Sequence, residues 1–388
     1  MSELKVNSIK GVAASTAAIT VNNTDGTCTA NVTNNLSNRN LIINGAMQVA
    51  QRGTSHTDSG YQTVDRFFVD YAGLDEVPTQ AQVEVASGTT PYTLGFRTAW
   101  RITNGNQTSG AGAADVLYID QKIEAQNMAK SGWNYTSSSS NITLSFWIKS
   151  SVAQSFKGSL KTTDGTAQIF HFETGSLTAD TWTKITKTIP GNSNLQFDNN
   201  YDPGLDVIIH AFAGTDYTDN SAVENAWQAY SGGIFGGKDN TTTWYTTNDA
   251  TLEITGVQLE VGSHATDFEH MTFAQDLELC KRYYQVLVKG DQYYFGGPAY
   301  QYTGTLALSQ FRLTPEMRVI PTLVQTTGTN YYIYYINGAT GTVTGFTGVS
   351  GMHTRGGALY TTANVTQGYA GAFFTNNGLC VIAFAAEL

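Results

Sequence analysis

The chain has 388 residues, enough for two domains with cores of their own. Charged residues make up only 13%, well below the usual share of soluble domains, and Thr, Ser, Asn, Gly and Tyr fill the gap, a mixture that favours strands joined by many turns. A net charge of −10 with no run of Lys and Arg argues against a nucleic-acid partner, and the longest apolar run near the end, GLCVIAFAA, is too short to span a bilayer as a helix.

Residues 1–38 contain no aromatic side chain. LKVNSIKGV and AAITVNN read as short β segments separated by turn-rich stretches, too little for a core, so this part must pack on copies of itself or on a carrier protein. MSELKVNSIK has neither a basic n-region nor an apolar h-region, so no signal peptide is read and a cytoplasmic product is expected. Cys28, Cys280 and Cys380 are far apart and lack a CxxC or a His at ligand spacing, which makes reduced core thiols the expectation.

From 39 to 271 strand signals recur between turns, among them RFFVDYA, AWRITN, NITLSFWIKSS, AQIFHFET, LDVIIHAF and TLEITGVQLEV. With one predicted helix from Ile119 to Lys130, they give an all-β fold, an antiparallel two-sheet sandwich. In ITGVQLEV the apolar alternation slips at Gly256, which predicts a bulge. Residues 272–290 then read as a linking helix. Thr272 is its N-cap, Gln275 completes a capping box, and Phe273, Leu277, Cys280, Tyr284 and Leu287 form an apolar stripe up to Gly290. Residues 291–388 form a second β unit, a C-terminal β-sandwich rich in Gly and Tyr. Its strongest signal is TNYYIYYINGATGTVTGF, a hairpin turning at Asn337-Gly338 with apolar or aromatic residues on both faces of its first strand. Such a strand is either covered twice within the domain or offers one face to a partner.

Several segments resemble sites of chemistry. GGIFGGKD from Gly232 has phosphate-loop spacing, but Asp239 stands where a Ser or Thr must hold magnesium, so a turn-rich loop is read instead. His264, Asp267, Glu269 and His270 cluster in the exit segment. There Asp267 and Glu269 would converge and His270 would not, and Glu269 is expected to tie this segment to the sandwich. Asp65 and Arg66 read as a buried ion pair rather than a catalytic acid. Asp198, Asp202, Asp206, Asp216 and Asp219 supply loop carboxylates, with no spacing that selects a pair for glycan hydrolysis. No metal ligand set, cofactor motif or catalytic triad is read. For sugar binding the useful residues are aromatics set among polar neighbours: Trp227, Tyr230, Trp244 and Tyr245 in the first unit, Tyr294 and Tyr300 in the second.

Gln258 to Gly262, Ala265, Thr266, Phe268 and Glu269, followed by Leu277, Leu279, Cys280, Arg282, Tyr283 and Tyr284, carry a QLEVG-x-x-AT-x-FE and L-x-LC-x-RYY pattern. This pattern resembles tail-fibre and receptor-binding proteins of tailed bacteriophages. Upstream, RNLIINGAMQVAQRGTS, TVDRFF and YIDQKIEAQNMAKSGWNYTSSSSNITLSFWIKSS resemble further segments of those proteins, with Phe67 where Trp is more usual and a longer loop before TLSFWIK. Downstream, FRLTPEMRVIPTL and AFAAEL do so as well. The resemblance implies a jelly roll like those of carbohydrate-binding modules over 39–271, a virion-attachment segment over 1–38 that engages a tail or adaptor protein, and a tip domain over 291–388. It also implies a homotrimer on the virion tail that binds a host surface glycan or other receptor without catalysis. A virion-bound polysaccharide depolymerase and a capsid decoration protein are the alternatives.

Overall fold

The period-two alternation of apolar side chains resolves into strands along most of the chain, and the helices are short. The computed structural model describes residues 38–363 and 366–388, with 6–10, 12, 19–21, 24 and 28–30 near the N-terminus, the last three by backbone alone. There Ser8–Ile9, Ile19–Val21 and Cys28–Ala30 pair into a small antiparallel sheet; the rest of the expectation for 1–38, including the Cys28 side chain, lies outside the described residues.

Two six-stranded antiparallel sheets pack face to face as a jelly-roll sandwich. The first runs in the order Trp227–Ala229, Gln168–Glu173, Lys157–Thr162, Pro203–Ala213, Val116–Glu124, Phe68–Ala72. The second runs Thr183–Pro190, Asn141–Ser150, Thr251–Val261, Thr98–Thr103, Thr79–Glu84, Ser55–His56. Trp100, Leu144, Phe146, Phe172, Ile209 and Leu259 are among the residues that fill the space between them. The slip at Gly256 is a bulge: the ladder shifts between Thr255 and Gln258, and Gly256 adopts φ +63°, where a Cβ would lie 2.6 Å from the Phe96 ring.

The predicted helix over Ile119–Lys130 is corrected. Val116–Glu124 is a strand, and only Ala125–Ala129 is helical. In VLYIDQKIE, Leu117, Ile119 and Ile123 alternate into the core, and the ladder with Pro203–Ala213 outweighs the helical spacing. The linking helix is corrected too. The capping box is present, with Thr272 Oγ1 accepting from Gln275 N (3.4 Å) and Gln275 Oε1 accepting from Thr272 N (3.0 Å), but the helix covers only Phe273–Cys280. Of the predicted stripe only Cys280 is buried within the helix, beside Asp276, and Phe273 is 53% exposed. Tyr284–Lys289 is a strand that pairs with Val381–Ala385, so the second unit begins there.

That unit joins a three-stranded sheet (Tyr284–Lys289, Val381–Ala385, Thr322–Gln325) to a seven-stranded one around a core that includes Phe295, Tyr332, Phe346, Phe373 and Phe384. The Asn337-Gly338 turn has φ of 53° and 72°, as the primed hairpin requires. Cys280 and Cys380 are buried free thiols.

A buried polar network locks the two units. Glu124, fully buried, accepts from Arg282 Nε (2.7 Å) and Nη2 (2.8 Å), Tyr283 OH (2.5 Å) and Gln126 Nε2 (2.6 Å). Asp65 and Arg66 do not pair with each other, which corrects the expected ion pair: Asp65 accepts from Gln51, while Arg66 pairs with Glu387 at the other end of the chain. Both residues lie in the turn before Phe68, and Arg66, at φ 73°, directs its side chain to Glu387 rather than to its neighbour.

Candidate functional site

On the first sheet, Ile119, Ile123, Leu205, Val207, Ile209 and Leu160 face the core, so the alternate residues Tyr118, Asp120, Lys122, Asp206, His210, Ser159 and Lys161 face outward. These outward residues form a polar row, called the trough, that is nonetheless buried: Asp120, Asp206, Ser159 and His210 are each at most 4% exposed. The cover is the GGIFGGKD loop. Phe235 sets its ring 4.8 Å from His210 and 4.9 Å from Tyr118, and Asp239 anchors the loop by accepting from Thr218 Oγ1 (2.7 Å) and Asn220 Nδ2 (2.8 Å). The loop is thus a turn-rich cover, as its sequence predicts.

Lys161 Nζ donates to Asp206 Oδ2 at 3.0 Å and lies 5.2 Å from the centre of the half-buried Tyr230 ring. The Lys161 side chain keeps 20% of its exposure, so solvent reaches this end of the trough. Asp120 Oδ1, Asp206 Oδ1 and His210 Nδ1 are buried with no hydrogen-bond partner, which leaves unused capacity on one face. Burial, and next the charge of Asp206, push Asp120 up to about 7. Burial holds His210 down to about 3 and His171 down to about 4, so both rings are neutral near pH 7. An aromatic ring and a cation therefore meet at Tyr230, with the Asp206 carboxylate holding the cation in place.

The other predicted site residues disperse. Trp244 and Tyr245 are fully buried core residues, which corrects their assignment to a binding surface. Trp244 Nε1 donates to Thr251 O (3.0 Å), while Tyr245 stacks on Phe212 at 4.2 Å and donates to Asp115 Oδ2 (2.9 Å). Gln154 and Asn104 satisfy their backbone from within, by accepting from Trp244 N (2.8 Å) and donating to Tyr245 O (2.5 Å), and this lets a polar-looking loop turn its rings inward. Trp227 packs on Phe170 at the edge of the core and donates to Pro190 O (2.7 Å). Tyr294 is 74% exposed and Tyr300 half-buried, both on the strand Tyr294–Gln301 of the second unit. There Tyr294, Phe374 and Ile333 form one cross-strand row, with the 51% exposed Tyr335 beyond.

Of the loop carboxylates, Asp198, Asp202, Asp216 and Asp219 are exposed, whereas Asp206 is buried within a strand, a correction to its expected loop setting. Asp120 was missed because the predicted helix hid it; the alternation of VLYIDQKIE was the available signal. Glu269 accepts from the backbone N–H groups of Asn38 (2.8 Å), Arg39 (2.7 Å) and Asn40 (3.0 Å), so it ties the exit segment to the start of the domain as expected. The expected convergence of Asp267 with Glu269 is corrected: Asp267 lines a cleft together with His270. Among the described residues no group of three or more His, Cys, Asp or Glu could hold a metal ion, and no helix is long and apolar enough to cross a membrane.

No family model matches the chain, and no curated protein is similar to it. Among solved structures, it is similar to the enzymatically active domain of bacteriophage CBA120 tailspike protein 4 at 10% identity and a TM-score of 0.31, covering 57% of this chain and 21% of that one. It is also similar to a putative sugar binding protein from Bacteroides thetaiotaomicron at 14% identity and a TM-score of 0.31, covering 57% and 99%. A third is a family 11 carbohydrate-binding module from Clostridium thermocellum in complex with a mixed-linked tetrasaccharide, at 8% identity and a TM-score of 0.25, covering 55% and 98%. The chain spans about a fifth of the tailspike structure.

Proposed function

We propose that this chain is a bacteriophage tail-fibre or receptor-binding protein, joined to the virion through residues 1–38, that binds a host surface glycan in the trough of the first sheet. The observation that carries this reading is the meeting of Tyr230, Lys161 and Asp206 at the end of this face that solvent reaches: a ring for sugar C–H surfaces and an ammonium donor held in place by a buried carboxylate. The phage-like segments named above supply the virion setting. Threefold association through the uncharged Tyr294–Phe374–Ile333–Tyr335 face multiplies the sites and raises avidity. The test is binding of polysaccharide extracted from host envelopes, followed by calorimetry. Tyr230→Ala and Lys161→Ala are each expected to weaken it about tenfold, the first with unchanged melting and the second with lowered melting because the buried Asp206 loses its partner, and wild-type affinity in both variants overturns the assignment.

A second reading, the depolymerase, draws on one specific feature. Asp120, whose carboxyl is raised to about 7 by burial and then by the neighbouring Asp206, lies near that second carboxyl, which accepts from Lys161, and two neighbouring carboxyls in unlike surroundings are the pattern of acid–base hydrolysis. Reducing-sugar release from the same polysaccharide, abolished in Asp120→Asn, selects that reading; binding without release selects the first.

A further inference from the structure

The second sheet carries a cleft on its own outer face, away from the trough. Its volume is about 220 Å³, and Trp147, Phe96, Phe268, Lys184, Asp267 and His270 dominate its lining. The sequence builds its depth. The bulge at Gly256 removes a side chain where a Cβ would meet the Phe96 ring at 2.6 Å, and Gly95, at φ +102°, does the same 3.1 Å from the His270 ring. Into that space fold three rings: Phe96 to Phe268 at 4.9 Å, Phe96 to His270 at 5.0 Å and Phe268 to His270 at 4.9 Å. His270 Nε2 donates to Leu94 O at 2.9 Å, which fixes the exit segment against the short helix Thr90–Thr93.

The walls are aromatic and the polar groups few. Trp147 is half-buried, and Lys184, directly across the ladder from it, is exposed and has no carboxylate partner among the described residues. Asp267 is exposed and Ser145 is buried in the lining. One cation and one carboxylate leave the lining formally neutral, so an anionic or a cationic ligand would meet a like charge. A flat apolar ring would strip water from Lys184, Asp267 and Ser145 and give nothing back. A neutral sugar ring satisfies both demands, since its C–H face stacks on an aromatic wall and its hydroxyls accept from Lys184 and donate to Asp267. Pockets for drug-sized molecules run from about 300 to 1,000 Å³, so this one is sized for a single ring.

We propose that this cleft is a second carbohydrate-binding site, taking one neutral hexopyranose unit of a glycan independently of the trough. The probes are the methyl glycosides of glucose, galactose, mannose and N-acetylglucosamine, observed by saturation-transfer NMR on the full chain. At least one is expected to give transfer with the wild-type protein and with Tyr230→Ala, and to bind about tenfold more weakly to Trp147→Ala and Lys184→Ala. Lys184 is exposed, so its variant keeps the test decisive if Trp147→Ala fails to fold. Absence of transfer from all four glycosides, or transfer undiminished in Lys184→Ala, overturns the proposal. Transfer lost in Tyr230→Ala and kept in Lys184→Ala overturns it in favour of the trough alone, whereas failure of the trough leaves the cleft signal in place.

Discussion

Removing the charge of Glu387, the penultimate residue, is expected to destabilise the jelly roll at the far end of the chain. Residues so close to a terminus are usually expendable. Here the carboxylate bridges two arginines of the first unit: it pairs with Arg66 Nη1, and it accepts from Arg52 Nη2 at 2.9 Å. Arg66 is 1% exposed, lies 3.6 Å over the Tyr283 ring and donates to Lys122 O at 2.8 Å, so without Glu387 it keeps one neutral acceptor and no counter-charge. Removing one partner of a buried pair costs about 3–5 kcal/mol. Glu387→Gln retains the volume and one acceptor oxygen, which places the expected loss near the lower end, about 3 kcal/mol. The assay is urea unfolding followed by tryptophan fluorescence. All six tryptophans lie between Trp100 and Trp244, so the signal reports the jelly roll while the mutation sits in the other unit. The control is Glu316→Gln, whose partner Arg355 is 64% exposed and whose transition should be indistinguishable from wild type. A Glu387→Gln transition within about 0.5 kcal/mol of wild type would refute the claim that this junction holds the two units as one body.

Asp120→Asn tests the trough by pH. The folded-state value is raised from 3.8 to about 7, by burial first and Asp206 second, so ionisation costs stability progressively as pH rises through that window. The variant should match wild type near pH 4 and exceed it by on the order of 4 kcal/mol near pH 8; a gain that is equal at both ends would place the effect elsewhere. For association, light scattering of the full-length protein is expected to give three times the 41.9 kDa chain mass. Tyr335→Asp should lower that mass, and a stable wild-type monomer at micromolar concentration would remove the avidity argument.

Features specified within a few residues were legible in the sequence. The Thr272–Gln275 capping box, the Gly256 bulge and the Asn337-Gly338 turn all formed where local chemistry placed them. Misreadings arose where distant residues decide. Cys280, Tyr284 and Leu287 have helical spacing, yet the chain leaves the helix at Cys280 because Arg282 and Tyr283 are drawn to Glu124, and YQVLVK then completes a sheet with Val381–Ala385. The trough was invisible for the same reason: Asp120 and Asp206 come together only through the ladder between Val116–Glu124 and Pro203–Ala213. Trp244 and Tyr245 looked like surface residues because their neighbours are polar, but Gln154 and Asn104 supply polar partners from inside.

The segments that resemble phage fibres occupy scattered stretches of the sequence, and the structure brings most of them to one place. QRGTS contributes Arg52, TVDRFF contributes Arg66, YIDQKIE contributes Glu124, and the RYY block contributes Arg282 and Tyr283. MRVIPT contributes Arg318, which donates to Ala386 O (2.8 Å), Glu387 O (2.6 Å) and Tyr201 O (2.8 Å), and AFAAEL contributes Glu387 itself. The resemblance is therefore largely that of a joint, in which charges from five segments pair with one another and Arg318 from a sixth is held by backbone carbonyls. A joint of this kind demands particular side chains, because each arginine left unpaired there carries the desolvation penalty of a buried ion. Lys161, Asp206 and Tyr230 in the trough, and Tyr294, Tyr300 and Tyr335 on the second unit, lie outside those segments and bear none of that load. Under the proposed function, recognition can change at these positions while the joint holds both units in fixed register.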